Sequence, residues 1–99
     1  MLTLDFSFPA PLWKWSGGNW FFLTLPADTA ADIRAFAADN ASALGTVRVV
    51  ARVGETEWQT SLFPSNEHDS FLLPVKAAVR RAEKLEPGGE VSVALEMFV

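Results

Sequence analysis

The same short run of elements is written twice along this chain, and that recurrence narrows the available folds more than any single residue does. Leu23-Thr24-Leu25-Pro26 leads into Ile33-Arg34 at helical spacing, and then into Gly45-Thr46-Val47-Arg48-Val49. Phe71-Leu72-Leu73-Pro74 leads into Val79-Arg80, and then into Gly89-Glu90-Val91-Ser92-Val93. Each copy reads as strand, proline-started helix, glycine turn and alternating strand. The echo is loose, because the proline-to-arginine spacing differs by two residues and strand-helix-strand units share these features by common physics. Two such units related by a pseudo-two-fold axis would close a small barrel with no open edge, which is what an internal duplication would leave.

The segments outside the repeat fit that frame. Leu2, Leu4, Phe6 and Phe8 alternate with polar residues, the period of a half-buried strand, and Pro9 and Pro11 make it an edge or bend it. Trp13 and Trp15 follow on one face, then the turn Ser16-Gly17-Gly18-Asn19, then Trp20 to Leu25, a strand apolar on both faces and so central. A first helix starts behind Pro26 and ends between Asn40 and Gly45. Strands follow over 46–53 and 56–63, a polar loop over 64–69 and a short strand over 70–73. The spacing predicts a second helix over 75–85 and a last strand over 90–98. The expectation is a mostly β fold of six strands and two short helices, with residues 1–99 as one domain.

Composition removes several functions. No cysteine means no thiol catalysis, no thiolate metal site and no disulfide framework. The N-terminus carries Asp5 where a secretory signal would be basic, and no apolar run approaches the roughly 18 residues of a membrane helix. A cytoplasmic protein with no membrane association is expected. The net charge of -4 does not advertise nucleic-acid binding.

No set of residues suits an enzyme. The one histidine, His68, lies between Glu67 and Asp69 in a loop and reads as a solvated side chain. The acids are scattered, Asp28 and Asp32 as a solvated helix face, and no Gly-rich phosphate loop or cofactor motif is present. The bases are less evenly spread: Lys76, Arg80 and Lys84 follow at helical spacing with Arg81 beside them, four of eight bases within one helix. The ordinary reading is the wet face of a helix that buries Val75, Val79, Ala82 and Leu85, with Arg80 partly buried and fixed by strand carbonyls or a carboxylate. Of the four tryptophans, Trp20 and Trp58 are expected to pack in the core, and Trp13 and Trp15 to offer exposed contact.

Two strings carry a family likeness. Trp58-Gln59-Thr60-Ser61-Leu62-Phe63-Pro64, joined by a variable loop to Phe71-Leu72-Leu73-Pro74-Val75-Lys76-Ala77-Ala78-Val79-Arg80-Arg81-Ala82, resembles the core of a bacterial family, the domain of unknown function nineteen-oh-five. Gly18 to Pro26 is similar to that family's N-terminal half. The resemblance implies a small closed six-stranded double-split β-barrel and no assigned activity. More distantly, Leu73 to Arg80 with Leu85 to Val91 is similar to the swapped-hairpin half of AbrB-type transcription factors, which bind DNA as dimers. The expectation is a non-catalytic domain, a monomer or weak dimer without cofactor or metal. It would recognise a small anionic or aromatic ligand, or a protein partner, and the candidate contacts are Trp13, Trp15, Trp58, Thr60, Lys76, Arg80 and Arg81. The alternative is a nucleic-acid-binding regulator that uses the basic second helix.

Overall fold

Leu12 decides how the first strand is used. Its N–H donates to Gly89 O (3.0 Å) and its carbonyl accepts from Gly88 N (2.8 Å), whereas Trp15 N–H donates to Trp20 O (2.8 Å). Backbone groups alternate sides along an antiparallel strand, so even-numbered residues here bond to the last strand and odd-numbered ones face the second. Pro9 and Pro11 are odd. Their missing N–H groups would point away from the last strand, at a stretch the second strand has not yet reached. Strand β1 (Thr3–Lys14) therefore runs through both prolines without a break, an edge on one side and a full ladder on the other. The structure, a computed structural model, describes residues 3–40 and 45–98; Leu2 lies outside them.

After β1 come β2 (Phe21–Thr24), α1 (Ala27–Asn40), β3 (Val47–Val53), β4 (Thr56–Ser65), β5 (Ser70–Pro74), α2 (Ala77–Ala82) and β6 (Glu90–Phe98). The strands form a closed antiparallel barrel in the order β1-β2-β5-β4-β3-β6. The two long strands divide their pairing. β1 pairs with β6 from Thr3 to Pro11 and with β2 from Leu12 to Lys14; β4 pairs with β3 from Thr56 to Leu62 and with β5 from Phe63 to Ser65. The expected mostly β, closed six-stranded barrel with two helices is what the chain forms.

The pairing registers respect the recurrence in the sequence. Exchanging β1 with β4, β2 with β5 and β3 with β6 returns the same ring. With Pro26 placed on Pro74 and Gly45 on Gly89, Thr24 falls on Leu72 and Ala51 on Leu95, and both are directly paired residues. The exchange carries Leu12–Leu23 onto Pro64–Phe71 and Ala10–Val91 onto Leu62–Val47, so two separate ladders place β1 on β4 at the same offset.

Inward positions supply the core: Leu12, Leu23, Leu62, Leu73, Leu95 and Met97 are fully buried, and Ile33 of α1 and Val79 of α2 join them. Helix α2 is shorter than its spacing predicts. Val75 N–H donates to Phe21 O (2.9 Å), which extends the β2–β5 ladder, and Lys76 is the extended N-cap. At the other end Lys84 takes φ 54, with Leu85 N–H donating to Arg80 O (2.9 Å) and Lys84 N–H to Arg81 O (3.4 Å), a Schellman cap. Ala82, expected inside, is exposed, and Leu85 is half-buried. No helix among the described residues is long and apolar enough to cross a membrane.

Candidate functional site

The division of β4 opens a cleft. Past Leu62 toward its N-terminus β4 follows β3, while β5 leaves with β2 and turns into α2. Between these arms lies a cleft of about 750 Å³. Trp58, Gln59, Thr60 and Ser61 of β4 line one side, with Arg48 across the β3 ladder from Ser61. Trp20, Phe21, Lys76 and Arg80 line the other. Trp58 and Thr60 share the inward parity of β4, Trp58 buried and Thr60 half-buried, so they form the deep wall.

The charges here oppose the sign of the whole chain. Arg48, Lys76 and Arg80 line the cleft, and no carboxylate of the described residues does. Among the described residues the only salt bridge is Arg34–Asp69 (3.7 Å), on groups outside the cleft. Of the expected partners, Arg80 has a backbone carbonyl just past β5 and, among the described residues, no carboxylate. Its guanidinium carbon sits 3.6 Å from the Phe21 ring centroid, and Nη1 donates a long bond to Val75 O (3.4 Å) in the link between β5 and α2. The guanidinium carries five N–H donors, so most of its fork has no acceptor among the described residues, and Arg80 lines a site of anion-binding polarity.

A second depression of about 410 Å³ adjoins the first, with Trp20 and Phe63 lining both. The β1–β2 register builds it: Trp13 pairs with Phe22, and Trp15 bonds to Trp20 at the turn, which places all four rings on the outer face. Trp13 and Phe22 have centroids 5.2 Å apart, and Trp20 and Phe22 lie 6.1 Å apart and 8° from parallel. Trp13 is fixed further by its indole N–H, which donates to Thr24 Oγ1 (2.8 Å). His68 is exposed yet ordered: its ring stacks on Trp13 (5.1 Å), and its Nδ1 lies 3.0 Å from Ser65 Oγ. Neither neighbouring carboxylate bonds to it; Asp69 serves Arg34 instead.

The sequence-derived candidates therefore separate. Trp58, Thr60, Lys76 and Arg80 meet in the basic cleft, and Trp13 and Trp15 in the aromatic groove. Arg81 lines neither: it lines a further depression with Lys84 and Glu86, which meets the basic cleft at Arg80 and Ala77. Trp20 is corrected from core to surface, being 57% exposed, because the alternation through β2 that carries Leu23 inward turns Trp20 and Phe22 outward into the aromatic groove. Sequence reasoning missed Phe21 as the platform under Arg80, and Arg48, Gln59 and Ser61 as cleft residues. The alternation of Arg48 on β3 marked its outward face, but only the cross-strand register brings it to Ser61. No group of three or more His, Asp or Glu side chains able to hold a metal ion occurs among the described residues.

A family model described as "Domain of unknown function (DUF1905)" matches residues 8–95, which includes both walls of the cleft and the aromatic groove. No curated protein matches the chain.

Proposed function

The chain belongs to the DUF1905 family, and from that footing we propose that it is a non-catalytic, single-domain cytoplasmic protein that binds a small organic anion with a flat apolar part in the basic cleft. One observation carries this reading: three basic side chains and no acidic one surround a concave, aromatic-walled space in a chain of net charge -4. A phosphate or carboxylate on the ligand would take the unused donors of Arg80, with Lys76 and Arg48 adding charge. Charge-assisted hydrogen bonds of that kind contribute about 1.5–3 kcal/mol each. Trp20, 57% exposed, offers a ring face to the remainder of the ligand, with Trp58 at the base of the cleft.

The nucleic-acid alternative draws less support. A backbone-tracking surface needs a continuous face of bases free of acids, whereas the depression that continues from Arg80 to Arg81 and Lys84 also carries Glu86, on a chain of net charge -4.

A melting-temperature screen with phenyl phosphate, benzoate, the neutral benzyl alcohol and duplex and single-stranded oligonucleotides tests the proposal. A ligand selective for the folded state raises the midpoint in proportion to the logarithm of its concentration above Kd. The two anions are expected to raise it in wild type and not in Arg80→Ala, and benzyl alcohol is expected to leave it unchanged. Equal shifts from the alcohol, or none from either anion, contradict the reading. Oligonucleotide binding whose logarithm falls with log salt at about -0.9 per phosphate contact would favour the regulator.

A further inference from the structure

The basic cleft and the aromatic groove are separate depressions with a common wall, Trp20 and Phe63, which are 57% and 44% exposed. Their chemistries differ. The cleft holds the cations and most of the polar lining, whereas the groove is floored by Trp13, Trp15, Phe22 and Leu72 and its one charged residue is Glu67. A ligand that filled both would place its anion beside Arg80 and an apolar tail across Trp20 into the groove. Glu67 at the far rim would oppose a second negative group there. Large exposed aromatics at adjoining positions are costly on a monomer surface unless something covers them.

We infer that the ligand is an amphiphilic organic phosphate: a phosphate monoester head held by Arg48, Lys76 and Arg80, and an uncharged alkyl or aryl tail laid over Trp20 into the groove of Trp13 and Trp15. This rests on the anion-binding reading of the cleft and extends it to a second compartment. Phosphate is chosen over carboxylate because three cations without a carboxylate partner match a dianion better than a monoanion.

A series from methyl to butyl, hexyl and octyl phosphate, each below its aggregation threshold, tests it by calorimetric titration at constant ionic strength. Octanol serves as the tail without a head, and phosphatidic acid vesicles as the same head fixed in a lipid surface. Methyl phosphate is expected to bind weakly. Affinity should rise with tail length by up to about fourfold for each methylene fully buried, until the groove is filled. Trp15→Ala, an exposed change confined to the groove, should remove most of that rise and leave methyl phosphate unaffected; Lys76→Ala should weaken every member equally.

Methyl phosphate binding with no gain from longer tails overturns the two-compartment inference and leaves the anion reading standing. Absence of binding by every phosphate overturns both. Octanol binding as tightly as octyl phosphate shows a merely greasy groove and overturns the joined site. Binding to the vesicles but not to the soluble series overturns it in favour of a membrane surface.

Discussion

The guanidinium carbon of Arg80 lies 3.6 Å from the centroid of the Phe21 ring, close enough for the two planes to stack. Phe21 has the inward parity of Leu23 and Leu25, but it sits where β4 and β5 part, and the arginine stacks on it while Lys14 Nζ lies 6.0 Å from the same ring centroid. The contact gives one side chain two tasks, closing the end of the core and presenting donors to the cleft. Arg80→Lys keeps the charge and loses the flat face and the fork. It should cost about 0.5–1 kcal/mol of stability, the size of a partly exposed cation–π contact, and weaken phenyl phosphate binding nearly as much as Arg80→Ala does. Urea denaturation and calorimetric titration check the two effects separately. A lysine variant that bound as well as wild type would show that charge alone suffices.

Gly54, in the turn between β3 and β4, has φ 58, and a Cβ there would collide with the carboxylate of Glu83. That carboxylate accepts a 2.6 Å hydrogen bond from Thr56 Oγ1, which ties the end of α2 to the β3–β4 hairpin. Gly54→Ala should therefore cost more than the roughly 1–2 kcal/mol of left-handed strain alone. Adding Glu83→Ala to it should recover part of the loss. Additive losses in the double variant, measured by denaturant midpoint, would show that the collision is not the cause.

The parity of β1 makes a paired test. Ala10 shares the side of Leu12, whose N–H bonds to Gly89, so Ala10→Pro removes a donor from the β1–β6 ladder and crowds a buried position. A loss of about 2–5 kcal/mol is expected, from a buried carbonyl left unpaired and an overpacked core position. Pro11→Ala adds a donor that faces no strand and should change stability by less than about 1 kcal/mol. Similar losses at both positions would contradict the assignment of sides.

Lys84 holds the left-handed C′ position of α2 at φ 54. Lys84→Gly relieves that conformation and should stabilise the fold by up to about 1 kcal/mol, offset in part by the added freedom of the unfolded chain. Thermal unfolding reads the sign directly, and a destabilised variant would mean that the lysine side chain contributes more than its backbone conformation costs.

Much of the barrel was legible because period-two alternation and turn residues state their meaning locally. Leu23-Thr24-Leu25-Pro26 and its counterpart gave two strands that do pair, and Trp58 with Leu62 gave a face that is buried. The ends of α2 were not legible. Its start is concealed because Val75 still bonds to β2, and its end because a lysine, not a glycine, takes the left-handed cap. Trp20 was misplaced for a related reason. An apolar strand with two apolar faces announces a central position, but only the complete set of neighbours reveals that nothing covers its outer side. The cleft itself depends on where β4 changes partner, a long-range register that no local pattern encodes. Thus helical spacing marks Lys76 and Arg80, while no local pattern marks Arg48 or Phe21.

The most direct test of the anion-binding cleft is a titration of the isotope-labelled protein with phenyl phosphate, following indole N–H and arginine Nε–H resonances. Saturable shifts are expected at Trp58, Trp20 and Arg80, with none at Arg34, whose guanidinium is paired with Asp69 away from the cleft. Shifts absent at Arg80 and Trp58, or equal in size at Arg34, would contradict it.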